Sequence, residues 1–124
     1  MKAKAGKTKS SRKPAADKGD RLDRLYRAIL SRRGSDPDKS YTARLFNRGR
    51  AKIAQKLGEE AVEVAIDAVR GSRSGIAEES ADLLYHLLVL WADAGVKPKD
   101  VYDVLAKREG VSGIAEKASR GKKK

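Results

Sequence analysis

The sequence predicts an all-α fold, a bundle-like arrangement of four helices flanked by two basic tails. Between the tails, apolar residues recur at three- and four-residue spacings, which is typical of amphipathic helices. No segment alternates between apolar and polar residues for long enough to make a convincing strand. We therefore expect one helical domain over residues 20–112, with disordered tails over residues 1–19 and 113–124.

The first helix is predicted over residues 20–33. Its apolar residues fall at helical spacing: Leu22, Leu25, Tyr26, Ile29 and Leu30. Gly34 follows this segment and Pro37 lies just beyond it, and both residues are typical of the end of a helix.

The second predicted helix is the longest. Ser40 or Thr42 can cap its start, and Gly71 ends it. Gly49 and Gly58 interrupt its pattern. Gly58 either allows a close approach of the backbone beside nearby acidic residues or is simply a tolerated helical glycine.

A glycine- and serine-rich turn over residues 71–75 leads to the third helix, which ends at Gly95. Residues 76–91 are apolar almost all round the helix, a pattern that predicts burial. A fourth helix starts at residues 97–100, the sequence KPKD, and its apolar residues are Val101, Val104 and Leu105.

Two carboxylate clusters are the most informative feature of the chain. Glu60 and Glu63 share one face of the second helix, and Glu79 and Asp82 share one face of the third. The short connection favours antiparallel packing, which would bring the four acids together. Like charges this close are unfavourable unless a cation lies between them. Carboxylate oxygens suit Mg²⁺, and Mg²⁺ in turn suits a phosphate substrate.

Purely structural interpretations of these charged residues remain open. The polar strip of the third helix, Glu79, Asp82 and His86, must face a partner, a metal or a water-filled cleft, so buried ion pairs or a solvated seam would also satisfy it. The charged side of the second helix can be an ordinary solvated face. If it faces the third helix instead, Lys52 and Lys56 are placed to meet phosphate oxygens.

The net charge of +12 would suggest a nucleic-acid-binding protein if it were spread over the fold. Residues 1–19 carry +6 and residues 117–124 carry +5, which leaves +1 for residues 20–116. A helical protein that binds nucleic acid through its basic tails is therefore the alternative from another functional class. Because the tails lack interleaved aromatic residues, we do not expect specific nucleic-acid binding.

The chain has no cysteine and one histidine, which excludes disulfides, thiolate metal sites and a cysteine nucleophile. We interpret His86 as an interior or interface histidine rather than a catalyst. No apolar stretch approaches membrane-spanning length, and no apolar stretch follows the charged N-terminus. We expect a cytoplasmic protein.

Three segments carry a resemblance to a known family: SYTARL at residues 40–45, KIAQKLGEEAVEVAIDA at residues 52–68 and EESADLLYHLLVLWADAG at residues 78–95. They resemble the phosphoribosyl-ATP pyrophosphatase family, part of the all-α nucleotide pyrophosphohydrolase (MazG-like) superfamily. That superfamily is marked by an E-x-x-E helix followed by an E-x-x-D helix. The carboxylate spacing alone identifies only the superfamily, and the other strings are more specific.

The resemblance implies functional roles for individual residues. It implies four Mg²⁺ ligands: Glu60, Glu63, Glu79 and Asp82. It implies catalytic roles for Glu59 and Glu60, with Glu59 as an additional ligand or the base that orients water. Phosphate contacts are implied for Lys56 and, more weakly, for Lys52. The spacing does not tell which carboxylate positions the water.

The implied reaction is the hydrolysis of 1-(5-phosphoribosyl)-ATP to 1-(5-phosphoribosyl)-AMP and pyrophosphate, the second step of L-histidine biosynthesis. Activated water attacks between the α- and β-phosphoryl groups without a covalent intermediate. The alternative enzyme is a house-cleaning pyrophosphatase for ordinary or damaged nucleoside triphosphates, against which the SYTARL segment argues. The apolar third helix and the resemblance both predict a homodimer, whose partner subunit can contribute to the site.

Overall fold

The computed structural model describes residues 14–109 and residue 120, with side chains for residues 21–109 and 120. Five helices follow in order: α1 (Pro14–Ser31), α2 (Tyr41–Arg48), α3 (Arg50–Arg70), α4 (Arg73–Ala94) and α5 (Pro98–Arg108). These residues include no strand, which confirms the all-α prediction. Residues 1–13 and most of the predicted C-terminal tail lie outside the described residues, and so does the prediction that they are disordered.

The structure corrects the predicted helices in four places, of which two are small: α1 ends at Ser31 rather than at residue 33, and α4 begins at Arg73, inside the predicted turn over residues 71–75. Helix α1 begins at Pro14 rather than at residue 20. Proline suits the first turn of a helix because N–H groups there have no acceptor within the helix, so the N–H that proline lacks is not needed. The long second helix is split at Gly49, whose φ of 98° and ψ of 173° are not helical. The Gly49 N–H closes α2 on the Leu45 carbonyl, while its own carbonyl accepts from Ile53 in α3. The result is five helices instead of four.

The predicted caps are otherwise confirmed. Ser40 caps α2, because its hydroxyl accepts a hydrogen bond from the Ala43 N–H at 3.1 Å. Thr42 is not a cap, since it lies buried inside α2. Gly71 and Gly95 end α3 and α4 in the left-handed conformation, each with a φ of 76°.

Helices α3 and α4 form an antiparallel hairpin, because only Gly71 and Ser72 separate them. The first turn of α4 approaches α3 closely: a Cβ added to Gly75 would lie 2.7 Å from the Asp67 Oδ2 atom. Gly58 has no neighbour within 4 Å of such a Cβ, so it is a tolerated helical glycine. The core forms where α1, α2 and α3 meet α4, and consists of Tyr26, Ile29, Leu45, Ile53, Leu88, Val89 and Ala92.

Only part of α4 is buried in a single chain. Its C-terminal half packs into the core, whereas Leu84 is 40% exposed. The prediction of a helix buried all round is therefore wrong for one chain. The carboxylates lie on the N-terminal half, beside α3 and outside the core. No helix among the described residues is long and apolar enough to cross a membrane.

Candidate active site

Three carboxylates from two helices converge about midway along the α3–α4 hairpin. One oxygen each from Glu60 on α3 and from Glu79 and Asp82 on α4 lies within 4.8 Å of the other two. The i, i+3 spacing puts Glu79 and Asp82 on one side of α4, and the antiparallel hairpin aligns that side with Glu60. The predicted convergence of acids is therefore present for these three residues.

The charges within this group oppose one another. The pKa of Glu79 is raised from 4.5 to about 7, first by a hydrogen bond with the Glu60 carboxylate and then by partial burial and nearby negative charge. The Glu79 carboxyl group therefore keeps its proton to a higher pH than an ordinary glutamate when no cation is bound, because ionised groups this close repel. A cation in the cluster would take the place of that proton.

Glu63 lies outside the group of converging oxygens. It is exposed on α3, one turn beyond Glu60, and its negative charge contributes to the raised pKa of Glu79. The structure thus brings together three of the four predicted ligands. Glu63 stays a predicted ligand at the edge of the cluster.

Glu59 belongs to a different part of the site. Its carboxylate accepts a hydrogen bond from Gln55 Nε2 at 2.9 Å and pairs with Lys56 Nζ at 3.2 Å. The hydrogen bonds from Gln55 and Lys56 hold the pKa of the Glu59 carboxyl below its usual value, and the hydrogen bond to Glu59 raises the pKa of Lys56. Both groups are charged at neutral pH.

A cleft of about 190 Å³ opens beside the carboxylates. Residues of α2 and α3 line it: Tyr41, Arg44, Leu45, Arg48, Lys52, Lys56 and Glu59. Both predicted phosphate contacts, Lys52 and Lys56, are therefore cleft residues. Four cationic side chains face one carboxylate in this space, so the cleft favours an anionic ligand.

The contribution of α2 to this cleft was not predicted from the sequence. Tyr41, Arg44 and Arg48 follow one another at i, i+3 and i+7, so they lie along one side of the helix. The i, i+3, i+7 spacing is visible in the sequence. The side of α2 that carries these three residues could have been identified as the side next to its buried residues. The angle at Gly49, which turns this side towards α3, is not visible in the sequence.

Hydrogen bonds connect α2 to the carboxylate-bearing helix. The buried His86 uses Nδ1 to contact the Asp82 carbonyl at 2.9 Å, so Nδ1 carries the proton and donates. Its Nε2 then accepts from the Tyr41 hydroxyl at 3.3 Å. Thr42 and Tyr85 form a second hydroxyl pair between the same two helices. The interior interpretation of His86 agrees with this geometry, in which His86 links the two parts of the site.

The arrangement combines two functions that phosphate hydrolysis needs. A hard divalent cation fits the all-oxygen donors of Glu60, Glu79 and Asp82. The adjacent cleft presents lysine and arginine side chains to phosphate oxygens.

Comparison with known proteins agrees with the geometry. A family model described as phosphoribosyl-ATP pyrophosphohydrolase matches residues 22–109. The chain is 66% identical over 99 residues to the phosphoribosyl-ATP pyrophosphatase of Azospirillum brasilense, covering 80% of this chain and 89% of that protein. It is 62% identical over 103 residues to that of Gluconobacter oxydans, covering 83% and 77%. It is also 62% identical over 102 residues to that of Paramagnetospirillum magneticum, covering 82% and 94%. The chain therefore belongs to the phosphoribosyl-ATP pyrophosphohydrolase family.

Proposed function

We propose that this protein hydrolyses phosphoribosyl-ATP to phosphoribosyl-AMP and pyrophosphate, the second step of L-histidine biosynthesis. The observation that carries the proposal is a cluster of three carboxylates directly beside a cationic cleft, in a chain of this family. As part of the same proposal we expect the reaction in the cytoplasm, because the substrate is derived from ATP.

We assign Mg²⁺ to the carboxylate cluster. The donor set fits this ion, since three carboxylate oxygens converge and no nitrogen or sulfur ligand lies among them. Glu60, Glu79 and Asp82 would hold it, with Glu63 at the edge of the site. When bound, Mg²⁺ neutralises phosphate charge and lowers the pKa of bound water.

The side chains of the chain itself account for the remaining requirements. Lys56, on the same face of α3 as Glu60, neutralises oxygens of the reacting phosphates. Glu59 orients the attacking water, because its lowered pKa keeps the carboxylate ionised and able to accept a hydrogen bond from that water. Its ion pair with Lys56 fixes the direction of both side chains. Glu60 acts together with Glu59, because it is a ligand of the metal ion.

A substrate panel tests the proposed reaction. Pyrophosphate release is measured with Mg²⁺ for phosphoribosyl-ATP, ATP, GTP, dUTP and an oxidised nucleoside triphosphate. We expect phosphoribosyl-ATP to have the highest kcat/KM by at least about 100-fold, because binding groups built for a substrate substituent reject analogues that lack it. Equal or faster hydrolysis of an ordinary or oxidised triphosphate would support the house-cleaning function instead.

We propose that the active form is a homodimer that pairs through one apolar side of α3. Val62, Ile66 and Val69 are 57%, 40% and 90% exposed, and they line a shallow hollow of about 440 Å³. Contiguous exposed apolar surface of this kind favours association. By helical geometry this side adjoins that of Glu59 and Glu63, so a partner subunit would border the site.

A further inference from the structure

The cationic cleft is V-shaped, with α2 and α3 as its arms and Gly49 at the vertex. At the open end, the Tyr41 hydroxyl reaches His86, which lies one turn beyond Asp82 on α4. Arg48 and Lys52 flank Gly49 at the closed end. The cleft therefore leads from the carboxylates towards the vertex, and its two ends can contact different parts of one ligand.

The cationic groups differ in their partners. Lys56, near the carboxylates, is held by its ion pair with Glu59. Arg44 donates its Nε to the Pro37 carbonyl at 3.1 Å, which leaves its terminal nitrogens for a ligand. Arg48 and Lys52 form no ion pair with any acid in the part of the chain that the structure describes. Within the cleft, the cations without an ion-pair partner thus lie towards the vertex, although the charge of Lys52 also lowers the pKa of Glu59.

The vertex lies about two turns of helix from the carboxylates. Lys52 precedes Glu60 by eight residues, which is about 12 Å along a helix with a rise of 1.5 Å per residue. The scissile phosphates must lie at the carboxylates. A triphosphate is short, because only two bridging oxygens link its three phosphorus atoms. A second anionic group, separated from the triphosphate by the rest of the substrate, fits Arg48 at the vertex while the scissile phosphates stay at the carboxylates.

The volume of the cleft also points to part of a ligand. About 190 Å³ is smaller than the roughly 300–1,000 Å³ of pockets that enclose a drug-sized ligand. A sugar phosphate is a suitable size, and Tyr41, which is 46% exposed, offers an aromatic side to the adjoining sugar or base. Arginine matches a terminal phosphate because its planar fork donates two parallel hydrogen bonds.

We propose that the vertex of this cleft binds the monophosphate of the substrate's phosphoribosyl group. Arg48 and Lys52 are its main contacts, and Arg44 lies beside them. This inference rests on the proposed function, because ordinary nucleoside triphosphates lack a second phosphate at that end. It makes α2, which contains most of the SYTARL segment, the element that selects phosphoribosyl-ATP.

The test compares Arg48→Ala with the wild-type protein by using two probes, one for each end of the substrate. Isothermal titration measures binding of ribose 5-phosphate and, with Mg²⁺, of inorganic pyrophosphate. Arg48→Ala weakens ribose 5-phosphate binding about tenfold, the loss expected for a charge-assisted contact to phosphate, and leaves pyrophosphate binding unchanged. The KM for phosphoribosyl-ATP rises by a similar factor, more than kcat falls.

Two further variants show whether the loss depends on the guanidinium group and on its position in the cleft. Arg48→Lys keeps the charge but not the fork, so it recovers part of the lost affinity. Arg27→Ala removes an exposed cation from α1, outside the cleft, and leaves both affinities at wild-type values. Matching melting temperatures of Arg48→Ala and the wild-type protein exclude a folding defect.

Several outcomes would overturn the inference. An equal loss of pyrophosphate and ribose 5-phosphate affinity would place the triphosphate end in the cleft. Undetectable ribose 5-phosphate binding to the wild-type protein at millimolar concentration, or unchanged binding to Arg48→Ala, would remove the subsite. If the wild-type protein fails to hydrolyse phosphoribosyl-ATP, the proposed function fails, whereas the ribose 5-phosphate titration still decides the subsite.

Discussion

At the scale of single residues, the site depends on carboxylates that are poorly satisfied by the protein alone. The carboxyl group of Glu79 faces the charges of both Glu60 and Asp82, which raise its pKa. An arrangement selected for stability alone would place a lysine or arginine here, since a mixed pair relieves repulsion. The nearest lysine, Lys56, is instead paired with Glu59. We infer that the cluster is kept for its ligand and at the expense of the metal-free fold.

The raised pKa of Glu79 predicts a pH dependence of stability without metal. Between its ordinary pKa of 4.5 and its folded pKa of about 7, the folded chain binds a proton that the unfolded chain has lost. The free energy of unfolding therefore falls as the pH rises through this window. Melting temperatures in EDTA should show this fall for the wild-type protein and not for Glu79→Gln. Parallel curves for the two proteins would contradict the raised pKa of Glu79.

At the scale of elements, Gly49 decides whether the cleft exists. Its non-helical backbone separates α2 from α3, whereas a continuous helix over the same residues would align Arg44, Arg48 and Lys52 along one rod and leave no cleft between two helices. A side chain at φ 98° is strained whatever the space around it. Gly58 provides a natural contrast, because it lies inside α3 and no neighbour is within 4 Å of an added Cβ.

These two glycines predict opposite effects of the same substitution. Gly49→Ala should lower the free energy of unfolding by about 1–3 kcal/mol, the usual cost of a strained backbone position. Gly58→Ala should raise it by up to about 1 kcal/mol, because alanine is the better helix former. Urea denaturation measures both changes. A stabilising Gly49→Ala would mean that α2 and α3 readily join into one helix.

The sequence predicts some of these features and not others, for physical reasons. Glu60, Glu79 and Asp82 were predictable because carboxylates on helices that must pack together have few ways to be satisfied. The break at Gly49 was not predictable, since the pattern on both sides is helical and glycine is tolerated inside helices. Arg44 and Arg48 were missed for the same reason, because their contribution depends on the angle at that break.

At the scale of the whole molecule, one helix serves two surfaces. One side of α3 carries Lys56, Glu59 and Glu60 at the site, and the adjoining side carries Val62 and Val69. A single chain leaves Val69 90% exposed, although the core beneath α4 is well packed. A second copy of the chain would cover this side and would bring its own residues near the site.

The proposed dimer predicts an effect of one charge on molecular mass. Light scattering should give the wild-type protein twice the 13.5 kDa of one chain. Val69→Asp should shift the mass towards that of one chain, because an unpaired carboxylate is costly in an apolar interface. Val104→Asp, a matched change at an exposed valine of α5, should leave the mass unchanged. A monomeric wild-type protein would refute the dimer.

The central claim is that the carboxylate cluster holds the metal that hydrolysis requires. Its most direct test is pyrophosphate release from phosphoribosyl-ATP by Glu79→Gln, with Glu78→Gln, an exposed neighbouring residue, as the matched control. We predict that Glu79→Gln loses at least about 100-fold in kcat/KM and most of the rise in melting temperature with Mg²⁺, while its metal-free melting temperature equals or exceeds that of the wild type. Glu78→Gln should keep wild-type values in all three measurements. A Glu79→Gln protein that is strongly destabilised without metal, yet hydrolyses phosphoribosyl-ATP at the wild-type rate, would show that Glu79 is structural and contradict the claim.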